Sequence, residues 1–369
     1  MAVYIILVIF AVFFTWLQQV GAMENGMKFS YFLVFLFLAL RHDYGNDYSD
    51  YFNSYLGLQS LQDEDFYFKE NEVGWLYLNY FFKYLFGDVG FHVMLASMAA
   101  FTCFVLYRLT IKYIPPKYYA FAIALLLLEP NNILVLSSAM RQSIAVAIFL
   151  LSFDYLLQKR YLQYLAGIAL ASLFHTSAIV LMALIALNIV NWRIYLPYVF
   201  LVFLGLLFLL NNLTVIFDQV DFLLEFQESE YSIYTAQGFE ETKYGLGFAL
   251  SVFLYLAVLI VNRKTHNNIR QNTIIKIVLV ALLFLILGLS VQLATRLNYY
   301  IFPVVVISFA ITLEYLGKFK FSFSQFISRV ATLIIVAFFI FQNYIFWQST
   351  VYAPYFTEYK TIFQSPLLK

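Results

Sequence analysis

The sequence is poor in charged residues and in cysteine. Only 12% of its 369 residues are charged, and its one cysteine is Cys103, whereas a typical soluble domain carries about 25% charged residues. A lone cysteine forms no disulfide within the chain. The net charge of +1 gives no electrostatic reason to expect a nucleic-acid partner.

Several motifs of catalysis and cofactor binding are also missing. No GxxxxGK[ST] pattern occurs, so a P-loop nucleotide site is excluded. No HExxH pattern or paired-cysteine cluster occurs, and the sequence predicts neither a zinc site nor a cofactor. Asp43, Asp47 and Asp50 have D-x3-D-x2-D spacing that would suit a divalent cation. Because no further ligand accompanies them, no metal is predicted.

Hydrophobic residues make up 63% of the chain and aromatic residues 21%, with a mean hydropathy of +0.80. A soluble fold would have to expose much of this apolar surface. Lipid permits only helices and closed barrels, and barrel strands would alternate apolar and polar residues. The runs here are continuously apolar, so the sequence predicts an all-α, polytopic membrane bundle.

Apolar runs predict about 11 or 12 spanning segments in one membrane domain, residues 1–369. The first is expected to be a retained helix rather than a signal peptide, because it lacks a charged start and a clear cleavage site. Residues 73–86 form a short apolar stretch, expected to be re-entrant or interfacial. The predicted spans are 2–20, 29–40, 89–108, 118–130, 132–157, 161–174, 177–191, 194–211, 246–262, 274–291, 297–316 and 330–347.

Charge sorts the connecting loops into two classes. The loops 108–117, 158–160, 263–276 and 318–329 contain only basic charges, which the positive-inside rule places in the cytoplasm. The loops 42–72 and 212–245 hold 15 of the 21 acidic residues. We therefore predict two acidic extracytoplasmic caps, within residues 41–88 and 212–245.

Three arginines and one histidine lie in or beside apolar segments: Arg41, Arg141, Arg296 and His175. An ionisable residue at membrane depth is costly unless it is paired or hydrated, so it marks a candidate functional site. The predicted topology puts all four on the outer half of the membrane. Arginine presents a planar fork that matches phosphate oxygens, so the pattern favours a phosphorylated lipid carrying sugar.

Simpler interpretations stay open for each of these residues. Arg41 and Arg296 would also be explained by snorkelling to lipid head groups. Arg141 would also be explained by a structural ion pair with Glu129, and His175 by a hydrogen-bonded histidine in a helix turn.

At these residues the chain resembles the EpsG-like family. The resemblance starts with RHDYGNDYSDYFNSY at 41–55 and NEVGWLYLN at 71–79. It continues with SSAMRQSIAVAIFLLSFDYLLQKRYLQYLAGIALASLFHTSAIV at 137–180, where an Arg-Gln-x-x-Ala helix precedes a basic turn and a Phe-His-x-Ser-Ala element. Arg296 and YAPY at 352–355 also fit.

EpsG-like proteins are similar to Wzy-type polymerases of O-antigen, capsule and exopolysaccharide. The resemblance implies a glycosyltransferase that joins undecaprenyl diphosphate-linked repeat units at the outer face of the bacterial inner membrane, without a cofactor or metal. It implies a fold related to GT-C and O-antigen-ligase architectures. The expected partners are the lipid-linked donor and acceptor, membrane lipids and, where chain length is controlled, a regulator protein.

The resulting hypothesis assigns two groups of residues. The catalytic residues are His175 as general base, Arg141 and Arg296 as diphosphate ligands, and Asp47. Substrate binding is assigned to Arg41, Asp43, Tyr44, Tyr48, Glu72, Gln142 and Tyr299. O-antigen ligation and flipping of lipid-linked oligosaccharide are the alternative functions.

Overall fold

The computed structural model describes residues 1–59, 72–189, 245–262, 269–289, 292–319, 323–350, 352–356 and 358–368, and these are almost entirely helical. The α-helices are α1 (Ala2–Gln19), α2 (Gly26–Ala39), α3 (Tyr48–Gly57), α4 (Val73–Phe86), α5 (Gly90–Tyr113), α6 (Tyr119–Leu128), α7 (Pro130–Ser137), α8 (Met140–Leu157), α9 (Tyr161–Ser172), α10 (Ala186–Ile189), α11 (Leu246–Asn262), α12 (Ile269–Leu287), α13 (Gln292–Gly317), α14 (Ser324–Gln348) and α15 (Ala353–Phe356). A 3-10 helix, Thr176–Ile185, precedes α10.

The prediction of an all-α, multi-pass membrane protein is confirmed. Within the described ranges, six helices are long and apolar enough to cross a membrane, or seven if the bent pair 116–128 and 130–137 is one span. This number is lower than the 11 or 12 predicted, because several apolar runs form short or broken helices. The stretch 73–86 forms α4, and a 3-10 turn at Gly87–Val89 joins it to α5. The two helices pack against each other beside this turn, where a Cβ on Gly90 would clash with the Phe82 carbonyl. Whether α4 is re-entrant or interfacial stays a prediction. The predicted span 194–211 lies outside the described residues.

Two compact units divide the chain: residues 1–182 with 313–369, and residues 183–312. In the first unit, α8 packs against α5 and α9, and Phe149 and Phe153 on α8 are completely buried. In the second, the Asn262 amide donates to the Thr312 hydroxyl at 2.7 Å and the Ser308 hydroxyl donates to the Ile274 carbonyl at 3.2 Å. Such bonds between helices help to hold apolar helices together in lipid.

The two ends of α8 differ in charge. Arg141 lies in its first turn, and Asp154 near its other end forms ion pairs with Arg108 and Lys112 of α5. Thirteen residues at 1.5 Å each separate the two ends by about 20 Å. The basic residues that the sequence places in the cytoplasm therefore lie far from Arg141 along this helix.

The C-terminal tail returns to the start of the chain. Strand β1 (Arg41–His42) pairs antiparallel with β2 (Lys360–Thr361), the one strand pair in the described residues. The Ile362 amide also donates to the Leu40 carbonyl at 2.9 Å, and the Tyr359 hydroxyl to the Phe37 carbonyl at 2.6 Å. These contacts cover the segment that carries Arg41.

Candidate functional site

A carboxylate at the start of α4 is the centre of the candidate site. Glu72 precedes the helix, and its backbone carbonyl accepts the first helical hydrogen bond from Trp75 at 3.0 Å. The first turn of α4 also contacts the end of α9, where the Gly74 amide donates to the Leu173 carbonyl at 2.9 Å. A Cβ on Gly74 would lie 3.0 Å from that oxygen. Glycine therefore allows the close approach that carries Glu72 to residues 175 and 176.

Glu72 joins three elements of the first unit. Its Oε1 accepts from Nδ1 of His175 at 2.9 Å and from the Thr176 backbone amide at 3.1 Å. Its Oε2 forms an ion pair with Nη1 of Arg141. The Glu72 side chain is 1% exposed, whereas that of Arg141 is 22% exposed. The carboxylate is thus enclosed by its partners, while part of the guanidinium stays accessible.

The surroundings of Glu72 favour its ionised form. Burial alone raises the pKa of this carboxyl, but the His175 hydrogen bond, the positive charge of Arg141 and the Thr176 amide together outweigh it, so the pKa lies below its ordinary value. An ionised carboxylate only accepts hydrogen bonds. His175 must therefore carry a proton on Nδ1, and a neutral ring then has its lone pair on Nε2.

Helix α3 and the loop before it pack onto the start of α8. The Tyr51 hydroxyl accepts from Nε of Arg141 at 3.3 Å, and the guanidinium carbon lies 5.8 Å from the Tyr51 ring centre. Ser138 donates to the Asn46 side chain at 2.7 Å and accepts from the Asp47 amide at 3.0 Å. The segment that follows Arg41 is thus attached to Ser138, which precedes Arg141 by three residues in the sequence.

A broken helix precedes α8, the helix that carries Arg141. Pro116–Leu128 and α7 are bent by 70° at Glu129, and Ser138 and Ala139 separate α7 from α8. Non-helical backbone at membrane depth is tolerated where it is buried in protein or lines a cavity, and broken helices often mark binding sites. Gly45, at φ +117°, packs so closely here that a Cβ would lie 2.9 Å from the Ser137 carbonyl.

Arg41 is the second cation of this region, and its surroundings differ from those of Arg141. It is 3% exposed, and its Nη1 donates to the Leu38 carbonyl. Among the described residues it has no ion pair with a carboxylate, and its Nε has no hydrogen-bond partner. Burial lowers its pKa to about 10, well below the ordinary value of an arginine, and the neighbouring tyrosines oppose this shift. It remains a buried cation at neutral pH.

Tyrosine side chains form the wall around Arg41. Tyr44 is completely buried against Phe37 and Tyr359, with ring centres 5.4 and 5.3 Å apart. The buried Tyr48 lies with its hydroxyl 3.2 Å from Nδ1 of His42. Burial raises the pKa of Tyr44 and of Tyr48, so both hydroxyls stay neutral. Their predicted role in substrate binding stays a prediction.

The model of the EpsG family matches residues 27–361 of the chain. The protein belongs to the EpsG family. No curated protein and no solved structure matches it at a significant level. The family assignment predicted from the motifs at 41–55, 71–79 and 137–180 is therefore confirmed, and it indicates a role in polysaccharide biosynthesis.

The structure of this EpsG-family protein brings together three of the predicted site residues, Glu72, Arg141 and His175. Arg41 lies in the same unit, beside Tyr44, Tyr48 and Tyr359. The alternative that Arg141 pairs with Glu129 is wrong, since Arg141 pairs with Glu72. Glu129 instead accepts from the Asn131 side chain at 2.8 Å.

The acidic residues between 43 and 50 have separate roles. Asp43 pairs with Lys360 of the tail at 2.9 Å, Asp47 precedes α3, and Asp50 lies in its first turn. No group of three metal-ligating side chains occurs in the described part of the chain. Gln142 is buried on α8, beside Arg141 in sequence.

Arg296 and Tyr299 lie on α13 in the second unit, three residues apart and so on one face of that helix. Their predicted roles stay predictions. The acidic cap 212–245 lies outside the described residues apart from Gly245.

Two contributors to the site were not predicted from the sequence: Ser138 and the backbone amide of Thr176. Ser138 immediately precedes the Arg-Gln motif, and Thr176 follows His175. Their nearness to the motif residues was the available signal, but only the fold shows which atoms face the site.

Proposed function

We propose that this protein polymerises polysaccharide by transferring a sugar chain from one polyprenyl diphosphate carrier to a hydroxyl of a second carrier-linked repeat unit. The observation that supports this proposal best is the cluster in which Glu72 holds both Arg141 and His175. It combines a cation for phosphate and an imidazole for proton transfer beside a broken membrane helix.

In the proposed reaction, the acceptor hydroxyl oxygen attacks the anomeric carbon of the donor sugar. The bond from that carbon to the diphosphate oxygen breaks, and the diphosphate leaves with the electron pair. The acceptor proton moves to Nε2 of His175, since Nδ1 already donates to Glu72. Glu72 then stabilises the imidazolium and holds the ring orientation, as a carboxylate does beside a catalytic histidine.

The two arginines have different tasks in this scheme. Glu72 neutralises Arg141 before substrate binds, so Arg141 is an oriented donor whose accessible part stabilises negative charge on the leaving diphosphate. Arg41 has no carboxylate partner among the described residues and supplies the uncompensated positive charge that attracts a phosphate. Arg296 belongs to the second unit, and its predicted phosphate binding stays a separate prediction.

The test is polymerisation by the purified full-length protein in proteoliposomes, with a defined lipid-linked repeat unit as the only substrate. We expect a ladder of oligomers from wild type and its loss in His175→Ala and Arg141→Ala. Glu129→Gln is a matched control for Glu72→Gln, because both glutamates immediately precede a helix but only Glu72 contacts the cluster.

Removing an electrostatic or proton-transfer group of this kind typically lowers turnover by about 10²–10⁴-fold. A normal ladder from Arg141→Ala would contradict the assigned role. Lipid movement across the vesicle without any ladder would favour a flippase instead.

A further inference from the structure

A long groove lies on the surface of the first unit, between α1 and α14, with α6 and its leading turn as its floor. It consists of two adjoining cavities of about 880 and 710 Å³. Both cavities share the side chains of Val12, Trp16, Ala124 and Val336. The groove therefore continues from one cavity to the next along the helices.

The two ends of the groove differ in charge. The larger cavity, here the basic cavity, ends at Lys117 and Arg329 with the neutral polar groups Gln19 and Gln325 beside them. The smaller cavity, here the neutral cavity, ends near Trp347 and has no charged side chain in its wall. Met1 also lines it, and the amino group of Met1 donates to the Phe356 carbonyl at 3.4 Å. No acidic side chain lines either cavity.

The basic end is built from contacts between three helical segments. The Tyr118 hydroxyl lies 3.0 Å from the Ser328 hydroxyl, which donates to the Leu313 carbonyl at 2.8 Å. Nζ of Lys117 lies 4.7 Å from the Tyr118 ring centre. A Cβ on Gly317 would lie 3.4 Å from that Nζ. Lys117 is thus held beside α13 and α14 at the groove mouth.

The length of the basic cavity matches one membrane leaflet. Along α14 it runs from Gln325 to Val336, and eleven residues at 1.5 Å each span about 16 Å. Half of a hydrocarbon core about 30 Å thick is about 15 Å. The neutral cavity occupies the remaining length of α14, from Val336 to Gln348.

We propose that the basic cavity binds one anionic glycerophospholipid of the cytoplasmic leaflet. Its phosphate lies between Lys117 and Arg329, and an acyl chain follows Trp16, Phe121 and Val336. Charge complementarity selects the head group, and the apolar length selects a chain of one leaflet. Basic pockets between membrane helices on the cytoplasmic side are typical sites for such head groups, and the sequence predicts that Lys117 and Arg329 lie on that side.

The test uses the full-length protein, freed of lipid in detergent and titrated with phosphatidylglycerol or phosphatidylcholine under native mass spectrometry. We expect phosphatidylglycerol to bind preferentially. Each cation contributes about fivefold to such binding, so Lys117→Gln with Arg329→Gln should weaken it by about 30-fold. The matched control, Lys159→Gln with Arg160→Gln, removes the same charge from a basic turn outside the groove and should leave binding unchanged.

Two further variants keep the test decisive if the double variant Lys117→Gln with Arg329→Gln folds poorly. Ala120→Phe should block binding by filling the cavity while both cations remain, and Lys117→Arg with Arg329→Lys should retain it. Equal weakening in the groove and control variants would overturn the proposal, as would equal binding of phosphatidylcholine. Binding of geranylgeranyl phosphate in place of phosphatidylglycerol, dependent on Lys117 and Arg329, would also overturn it in favour of a polyprenyl carrier.

Discussion

Replacing Arg41 with methionine should stabilise the ligand-free protein and abolish its response to a diphosphate. Arg41 is 3% exposed and has no ion pair with a carboxylate in the described ranges. A buried charge without a counter-charge destabilises a fold. Methionine is unbranched, flexible and apolar, so it fills most of the space without the charge.

The magnitude follows from the pKa of Arg41, which burial lowers from its ordinary value to about 10. Each pKa unit corresponds to about 1.4 kcal/mol, so keeping this guanidinium charged in the fold costs about 3 kcal/mol. Methionine also loses the hydrogen bond to the Leu38 carbonyl, worth about 1 kcal/mol. The expected net gain in unfolding free energy is therefore about 2 kcal/mol at pH 7.

The assay is SDS-induced unfolding in mixed micelles, followed by tryptophan fluorescence, with and without farnesyl diphosphate as the probe. A ligand that binds only the folded state at about 100 times its Kd stabilises by about 2.7 kcal/mol. We expect this gain in wild type and not in Arg41→Met.

Arg141→Met is the matched comparison, and it should have the opposite sign. It leaves the buried Glu72 carboxylate without its cation, and loss of one partner from a fully buried pair costs about 3–5 kcal/mol. Because 22% of the Arg141 side chain is exposed, solvent screening reduces this to about 2 kcal/mol. Arg41→Met that is no more stable than wild type, and that still responds to the diphosphate, would refute the reasoning.

Three further predictions concern the cluster. Glu72→Gln should destabilise the protein, and the loss should be full above the ordinary glutamate pKa of about 4.3. Because the pKa of Glu72 in the folded protein is lower, the loss should shrink as the pH falls below that value. Unfolding free energies of both proteins between about pH 3 and 7 measure this. Gly74→Leu should separate α4 from Leu173 and destabilise by about 1–3 kcal/mol, with chain growth reduced in the polymerisation assay. Tyr51→Phe removes the acceptor for Nε of Arg141 and should weaken binding of the diphosphate probe while leaving the fold intact, as measured by titration calorimetry and circular dichroism.

Much of the fold was predictable, because lipid leaves a sequence this apolar few options other than helices. The number of spans was not predictable from hydropathy alone. An apolar run is equally compatible with burial in protein and with contact with lipid. Helices α6 and α7 were therefore predicted as parts of the two continuous spans 118–130 and 132–157. In the structure, a 70° bend at Glu129 and Pro130 separates these helices. The charge of the loops was more informative than hydropathy. It predicted that the basic turn 158–160 after α8 and Arg141 at its start lie toward opposite sides of the membrane.

The site was predictable in its members but not in its connections. Arg141 and His175 stand out because each is an ionisable residue in an apolar run. Glu72, in the motif at 71–79, is predicted to bind substrate, but its partners Arg141 and His175 lie 69 and 103 residues away in the sequence. Only the close approach of Gly74 to Leu173 shows that this one acid turns inward, so its role as the common partner required the fold.

The pairing of Glu72 explains how an arginine and a histidine can both sit in this region without a large penalty in the ligand-free protein. The carboxylate offsets the charge of Arg141 and fixes the proton of His175 on Nδ1. Arg41 has no such compensation, so selection for stability alone would favour a neutral residue there. A buried cation that destabilises the empty protein is best explained by a ligand that supplies the missing negative charge, and the proposed carrier diphosphate has that chemistry.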